Sequence, residues 1–200
     1  MKETLLTILR DKKSTRSQFR RAADKLAELL AADAALHVKQ ESVSVETPLG
    51  KTTGARLQEQ IILLPILRAG LLMLPYFMRL FEESKVGFFG IRRDEKTALP
   101  QLYYENLPPF SAHDRLFVLD PMIATGGSAS LALAHLKSKG ADMSKIHLIG
   151  ILGAKEGLEK IRKGFPQITI DIVAEDPLLD PRKFIVPGLG DFGDRYFGTA

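Results

Sequence analysis

Two spacings of apolar residues alternate along this chain. Between Ser14 and Leu36, Phe19, Ala22, Ala23, Leu26, Leu29 and Leu30 fall on one helical stripe. Ser14 or Thr15 can cap that helix. "SVSVETPLG" alternates at Val43 and Val45 and ends in a Pro-Gly turn, which predicts a short strand. Gln60 to Leu67, "QIILLPIL", is a continuous apolar run, as a strand buried on both faces would be. "GLLMLPYFMRLFEE" predicts a helix, with Pro75 tolerable near its first turn. Strands follow at "VGFFGIR", "RLFVLD", "KIHLIGILGA" and "ITIDIVA". Helices fall at "GGSASLALAHLKSKG", closed by Gly140, and at "KEGLEKIRKGF". Strand–helix alternation predicts parallel βαβ units, hence an α/β fold with an open sheet and helices on both faces. Two stretches break the rhythm, Arg93–Asp114 and Glu175–Ala200, and both are expected to be long functional loops.

Composition narrows the class. With 200 residues, 45% of them hydrophobic, the chain suits one domain with one good core. Cysteine is absent, which excludes disulfides and thiolate metal sites, and the 4 histidines show no metal-ligand spacing. No apolar run is long enough for a transmembrane helix, and "MKETLLTILRDKK" lacks the cleavage site of a signal peptide. A cytoplasmic protein is expected. The net charge of +4 suits an anionic ligand, but dispersed Lys and Arg argue for a solvated basic surface and against a nucleic-acid partner.

The chemistry concentrates at "VLDPMIATGGSASLALAHL", from Val118. A buried strand ends on Asp120, a Gly pair follows, and a helix starts at once. In an open parallel sheet, ligands sit at the carboxyl ends of the strands. A helix N-terminus carrying glycines and hydroxyls, here Thr125 and Ser128, cradles phosphate through backbone N–H groups and the helix dipole. Asp120 would repel phosphate inside the cradle, but upstream of it can accept from sugar hydroxyls. The stretch therefore predicts a phosphorylated-sugar site. The plain alternative is a Gly-containing turn with Asp as a helix cap. Neither the Walker loop nor the dinucleotide glycine fingerprint is present.

These residues also carry a resemblance. "VLDPMIATGGSA" resembles the 5-phosphoribosyl 1-diphosphate (PRPP) signature of the type I phosphoribosyltransferases. Its form is similar to that of the uracil phosphoribosyltransferase family, which shows one acid where its relatives show two; here Leu119 precedes Asp120. "PILRAGLLM" (Pro65–Met73) resembles the family's pyrophosphate loop, and "IVPGLGDFGDRYFGT" (Ile185–Thr199) its uracil-binding C-terminus. "VETPLG" and "TRSQFRRAADKLAELL" match weaker upstream features. The resemblance implies a single domain over residues 1–200: a type I phosphoribosyltransferase-like parallel sheet core, about 56–174, flanked by helices, with a hood from the terminal segments, about 1–55 and 175–200.

The implied reaction is uracil plus PRPP to UMP plus pyrophosphate. The resemblance implies that Arg68, Asp120 and Asp191 carry catalysis. PRPP would be bound by Arg68, Arg93 (with Arg92 its neighbour), Asp120, Pro121, Met122, Ile123, Ala124, Thr125, Gly126, Gly127, Ser128 and Asp191. Uracil would be read by Ile185, Gly190, Asp191 and Phe192. The implied cofactor is Mg²⁺, held mainly by PRPP with Asp191 as a further ligand. Some family members respond to GTP. A homodimer or a multiple of it is expected from the apolar stretch "LPYFMRLF". Asp94 to Lys96 suit a solvated loop. Arg93–Asp114 suits a lid, and Tyr103 and Tyr104 would pack over the site or in an interface.

Three places depart from the family pattern. Phe192 stands where a small residue is usual, and would shrink the base pocket or stack beside the base. "AEDPLLDPRKF" differs from the usual version, with Phe184 where Tyr is common, and the usual Tyr-Glu pair near "LLAADAAL" is missing. Phe192 keeps one competing reading in view, a phosphoribosyltransferase for another base, and a sequence pI of about 9.3 motivates a second, a nucleotide-sensing RNA-binding regulator.

Overall fold

The structure, a computed structural model, describes residues 1–93 and 99–199, and Arg93 by its backbone alone. Two helices open the chain, α1 (Lys2–Arg10) and α2 (Arg16–Ala35), followed by a hairpin of β1 (Gln40–Thr47) and β2 (Gly50–Leu57). Next come β3 (Ile61–Leu67), α3 (Leu74–Leu80), β4 (Phe88–Arg93), β5 (Pro100–Asn106), β6 (Arg115–Leu119), α4 (Gly127–Ser138), β7 (Ile146–Ala154), α5 (Lys155–Gly164), β8 (Thr169–Asp176) and α6 (Phe192–Phe197).

The main sheet runs β8-β7-β6-β3-β4-β5. Every neighbouring pair is parallel except β4 and β5. From β3 the chain winds outward to β4 and β5, then returns to lay β6 on the other edge of β3. The winding direction therefore reverses between β3 and β6. A crevice opens at such a switch point, at the carboxyl ends of the two strands.

Helices cover both faces. α2 and α3 pack on Phe117, Leu119, Ile149 and Ile151. α4 and α5 pack on Leu116, Val118 and Leu148. Phe117 is fully buried, with Phe81 at 5.4 Å and Phe77 at 5.9 Å between ring centroids. Each such side chain adds about 1.5–3 kcal/mol through burial. α2 starts where a capping box forms: Thr15 Oγ1 accepts the Gln18 N–H, and Gln18 Oε1 accepts the Thr15 N–H. Its predicted face is buried at Phe19, Ala22, Ala23, Leu26 and Leu30, with Leu29 at the edge.

Several elements differ from expectation. The helix predicted from Gly70 is split into a 3₁₀ turn, Ala69–Leu72, and α3, because Pro75 can occupy only the first turn of a new helix. α1, unforeseen, buries Leu5, Leu6 and Leu9. The predicted Arg93–Asp114 loop contains β5, an antiparallel edge strand that begins on Pro100, as only an edge strand tolerates. Asp94 to Lys96 lie outside the described residues. Tyr103 packs on the hairpin itself: its ring would touch a Cβ placed on Gly90, and Arg92 lies 6.0 Å from its centroid. The predicted C-terminal loop holds α6 and a two-stranded hairpin, Leu178–Leu179 with Ile185–Val186. Among the described residues no helix is long and apolar enough to cross a membrane.

Candidate active site

β3 ends at Leu67, so Arg68 emerges at the switch point. Its side chain is 60% exposed, and Nη2 lies 3.6 Å from Asp194 Oδ1. Asp120 follows β6 across the same crevice and is 9% exposed. The turn after β3 rests on the end of β6: a Cβ on Gly70 would sit 2.3 Å from the Leu119 carbonyl oxygen, so only glycine fits.

After Asp120 the backbone holds to β7 once more. Met122–Ile123 pair with Leu152–Gly153, and the Ile151 and Leu152 N–H groups donate to the Pro121 carbonyl. Gly126 then turns left-handed, φ 68°, and α4 begins at Gly127. Thr125 Oγ1 accepts the Gly127 N–H at 3.3 Å. The loop Ala124–Ser128 is thus a tight turn feeding a helix N-terminus, the geometry that suits an anion. Thr125 and Ser128 are half-buried there.

The loop is braced from behind by a residue that sequence reading passed over. Gly157, in the first turn of α5, lies against it so closely that a Cβ would be 2.1 Å from the Ala124 carbonyl oxygen and 2.8 Å from the Gly126 nitrogen. The available signal was a glycine inside a strong helical pattern, which implies a packing reason.

The C-terminal segment closes the site. Met122 and Ala124 from the loop and Ile185, Gly190, Asp191 and Phe192 from the C-terminus line one cavity of about 310 Å³, with Arg182, Lys183 and Phe184. Asp191 caps α6, its Oδ1 accepting the Asp194 N–H at 2.8 Å. A Cβ on Gly193 would be 3.4 Å from Asp191 Oδ1 and 3.9 Å from Arg68 Nη2, so Arg68 and the C-terminal segment meet. Three separate sequence motifs therefore converge on one crevice. Arg93 stands at the end of β4, but its side chain lies outside the described residues.

Phe192 is anchored from behind. Its ring is 2% exposed, edge-on to Phe19 at 5.2 Å and stacked on Tyr196 at 6.1 Å. These apolar partners from α2 and α6 hold the ring where it also lines the cavity beside Ile185, Gly190 and Asp191.

A larger hollow, about 530 Å³, is lined by Leu57–Ile61 and Leu80–Ser84. It lies at the amino end of β3, the wrong end of the sheet for this chemistry. A cluster of His37, His147 and Asp171 also lies at the amino ends of the strands. Arg115 Nη1 is 3.0 Å from His147 Nε2, and His147 Nδ1 is 3.2 Å from Asp171 Oδ2. A guanidinium only donates, so Nε2 accepts and the ring proton sits on Nδ1, directed at Asp171. Both ring nitrogens are engaged, and the cluster reads as a structural ladder, not a metal site. It continues through Arg115 to buried Glu59, which also accepts from Lys145 at 3.0 Å.

The comparisons agree with this geometry. The family model for uracil phosphoribosyltransferase matches residues 1–199. The uracil phosphoribosyltransferase of Salinibacter ruber is 43% identical over 97% of this chain and 91% of that protein. That of Thermus thermophilus is 44% identical over 97% of this chain and 93% of its own length. A solved structure of a protein from Aquifex aeolicus superposes with a TM-score of 0.90 at 32% identity, covering 100% of this chain and 95% of that one. A hypoxanthine phosphoribosyltransferase from Staphylococcus aureus, at TM-score 0.52 and 10% identity over 85% of each chain, shares the fold alone. The sheet order and flanking helices are those of a type I phosphoribosyltransferase, and with the match running from end to end the chain belongs to the uracil phosphoribosyltransferase family.

Proposed function

We propose that the crevice between β3 and β6 transfers the ribose 5-phosphate group of PRPP to N1 of uracil, releasing pyrophosphate and leaving UMP, a salvage reaction. The observation that carries this reading is that the C-terminal segment meets both other motifs: Ile185, Gly190, Asp191 and Phe192 line one cavity with Met122 and Ala124, and Asp194 lies 3.6 Å from Arg68.

The roles follow from chemistry at each position. The first turn of α4 donates backbone N–H groups to the 5-phosphate, with the Thr125 and Ser128 hydroxyls beside them. Asp120 accepts from the ribose hydroxyls, and Pro121, Met122 and Ile123 hold it and the turn in register. Arg68, and Arg93 from the end of β4, suit the pyrophosphate, because a guanidinium fork binds two oxygens of one anion. As the C1′–oxygen bond to pyrophosphate breaks, charge builds on the leaving group, and cations fixed there lower the barrier. The N1–C1′ bond forms, and the N1 proton passes to Asp191. Main-chain groups from Ile185 to Phe192 read the O2, N3–H and O4 edge of uracil, since groups in a fixed turn cannot rotate away.

The oxygen-rich donor set fits Mg²⁺, which takes carboxylate and phosphate oxygens and keeps several waters. Bound through PRPP, with Asp191 as a protein ligand, it would neutralise pyrophosphate charge. Exposed Met78 and Leu80 on α3 support a homo-oligomer, to be checked by light scattering. The reading places the reaction in the cytoplasm, and GTP added during turnover tests for an effector.

The deciding experiment measures pyrophosphate release from PRPP and Mg²⁺ with uracil, cytosine, thymine and purine bases. Release with uracil alone, lowered at least about tenfold in Arg68→Ala and Asp120→Asn, supports the reading. Release only with another base discards uracil, and none with any base discards the activity.

A further inference from the structure

The proposed base reader, Ile185–Phe192, leaves a two-residue strand at Val186 and runs on as irregular chain to Asp191, with Gly188 at φ 62° and Gly190 at φ 82°. Irregular chain has no ladder of its own to fix it. The contacts that fix this stretch come from distant parts of the chain.

Arg10 is the last residue of α1, and Asp176 the last of β8. Arg10 Nη2 donates to Asp176 Oδ1 at 2.6 Å, and Nη1 donates to Oδ2 at 2.8 Å, a two-toothed ion pair. The same pair grips Gly188. Asp176 Oδ2 accepts the Gly188 N–H at 2.8 Å, and Arg10 Nη1 donates to the Gly188 carbonyl at 3.0 Å. Both main-chain polar groups of one residue are thereby fixed by one ion pair. Asp176 is 4% exposed. Burial pushes its carboxyl upward, but the hydrogen bonds from Arg10 and Gly188 and the Arg10 charge outweigh this and hold it below the usual range. It stays a carboxylate.

A second arginine works on the next residue. Arg195 Nη1 donates to the Leu189 carbonyl at 2.6 Å and to the Leu9 carbonyl, and Nη2 to the Asp11 carbonyl at 2.8 Å. Its guanidinium carbon stands 4.3 Å from the Phe19 ring centroid. The carboxyl end of α1 is therefore tied to two successive residues, Gly188 and Leu189, shortly before Asp191.

We infer that Arg10 and Asp176 are positioning residues for uracil: neither touches the base, and together they set the angle at which the Ile185–Asp191 main chain meets it. The inference rests on the base site proposed above. A pair serving only to join α1 to β8 has no need of Gly188. A pair that holds both the N–H and the carbonyl of Gly188 fixes the path of the backbone, and a reader of hydrogen-bonding edges must be held within about 0.5 Å.

The test uses the full chain and four variants. Asp176→Asn keeps an acceptor for Gly188 but loses the charge. Arg10→Lys keeps the charge but loses the fork, and supplies a folded variant should Asp176→Asn fail to fold. Glu59→Gln, in the buried network at the opposite end of the sheet, controls for lost stability. Gly190→Ala perturbs the base site directly. The readouts are KM for uracil, KM for PRPP and the thermal midpoint. Asp176→Asn and Arg10→Lys are expected to raise KM for uracil about tenfold, the effect of losing roughly one charged hydrogen bond. KM for PRPP should stay within about twofold. Glu59→Gln is expected to lower the midpoint without separating the two KM values. If Gly190→Ala raises KM for uracil while both pair variants leave it alone, or move both KM values together as stability falls, the positioning role is overturned. If Gly190→Ala also leaves it alone, the base site itself is misplaced and the inference falls with it.

Discussion

Gly157→Ala sets two physical effects against each other. Alanine is favoured over glycine inside a helix by about 1 kcal/mol, so helix propensity alone predicts a more stable protein. The geometry predicts the reverse. The added Cβ would stand 2.1 Å from the Ala124 carbonyl oxygen and 2.8 Å from the Gly126 nitrogen, both main-chain atoms that cannot swing aside. A carbon–oxygen contact needs roughly 3.3 Å, so α5 and the phosphate turn must part by about 1 Å. Overpacking of this kind costs about 1–3 kcal/mol, which cancels or exceeds the propensity gain. Net destabilisation should be about 0–2 kcal/mol, a fall of between zero and about 8 °C in the melting temperature. The effect on turnover should be far larger, because a displacement of about 1 Å in a positioned group can cost about 10²-fold. The assay is initial-rate pyrophosphate release at varied PRPP and saturating uracil, beside thermal unfolding of the same preparation. The expected outcome is a kcat/KM for PRPP lower by about 10²-fold with a melting temperature that does not rise and falls by no more than about 8 °C. An unchanged kcat/KM together with a raised melting temperature would show that α5 does not brace the turn, and would refute the reasoning.

Asp120→Asn should lose about 1.5–3 kcal/mol of transition-state stabilisation, roughly 10- to 150-fold in kcat/KM, at an almost constant melting temperature; full activity would exclude a role on the ribose hydroxyls. Phe192→Ala should lower unfolding stability in urea by about 3–5 kcal/mol while leaving the preference for uracil over cytosine unchanged, whereas an altered preference would place the ring in the base pocket. Asp176 and Glu59 both have carboxyls held below their usual range, in each case because hydrogen bonds and nearby cations outweigh burial. Their contribution to stability is complete above the unfolded carboxylate values of about 4 and is lost as pH falls below these through the folded values. The urea midpoint should therefore fall steeply below about pH 4, and the Asp176→Asn, Glu59→Gln double variant should show a shallower fall; an identical slope would refute the assignment. If Mg²⁺ is held mainly by PRPP, as proposed, EDTA should abolish turnover reversibly yet leave the melting temperature without PRPP unmoved; retained turnover in EDTA would refute that proposal.

Most of the sheet is legible in the sequence because its strands are buried on both faces. Ile61–Leu67, Arg115–Leu119 and Ile146–Ala154 read as predominantly apolar runs, interrupted only by Arg115 and His147, and are almost wholly buried. α2 is legible through its cap and its stripe. What escapes is structure made by partners. β5 is an exposed edge strand between prolines, and only its ladder with β4 makes it a strand. α6 has six residues, too short to show a period, and forms because Asp191 caps it and Phe192 finds Phe19. β2, "GKTTGARL", has little apolar content and exists through its register with β1.

The site divides in the same way. Asp120 and Arg68 are legible because each stands at the end of a buried strand, and a parallel sheet places such residues together at its switch point. The residues that hold Gly188 are not legible, because they act across distance: Arg10 and Asp176 are separated by 166 positions, Arg10 and Gly188 by 178. An arginine at the end of an amphipathic helix has the same local sequence whether it faces solvent or a buried carboxylate. Gly157 is the informative exception. Its helix would be more stable with alanine there, so the sequence contains a local choice that disagrees with its own secondary structure. Such disagreements collect where function constrains the backbone. The main chain of the phosphate turn lies against this residue, and the space a Cβ would need is the space that fixes the turn.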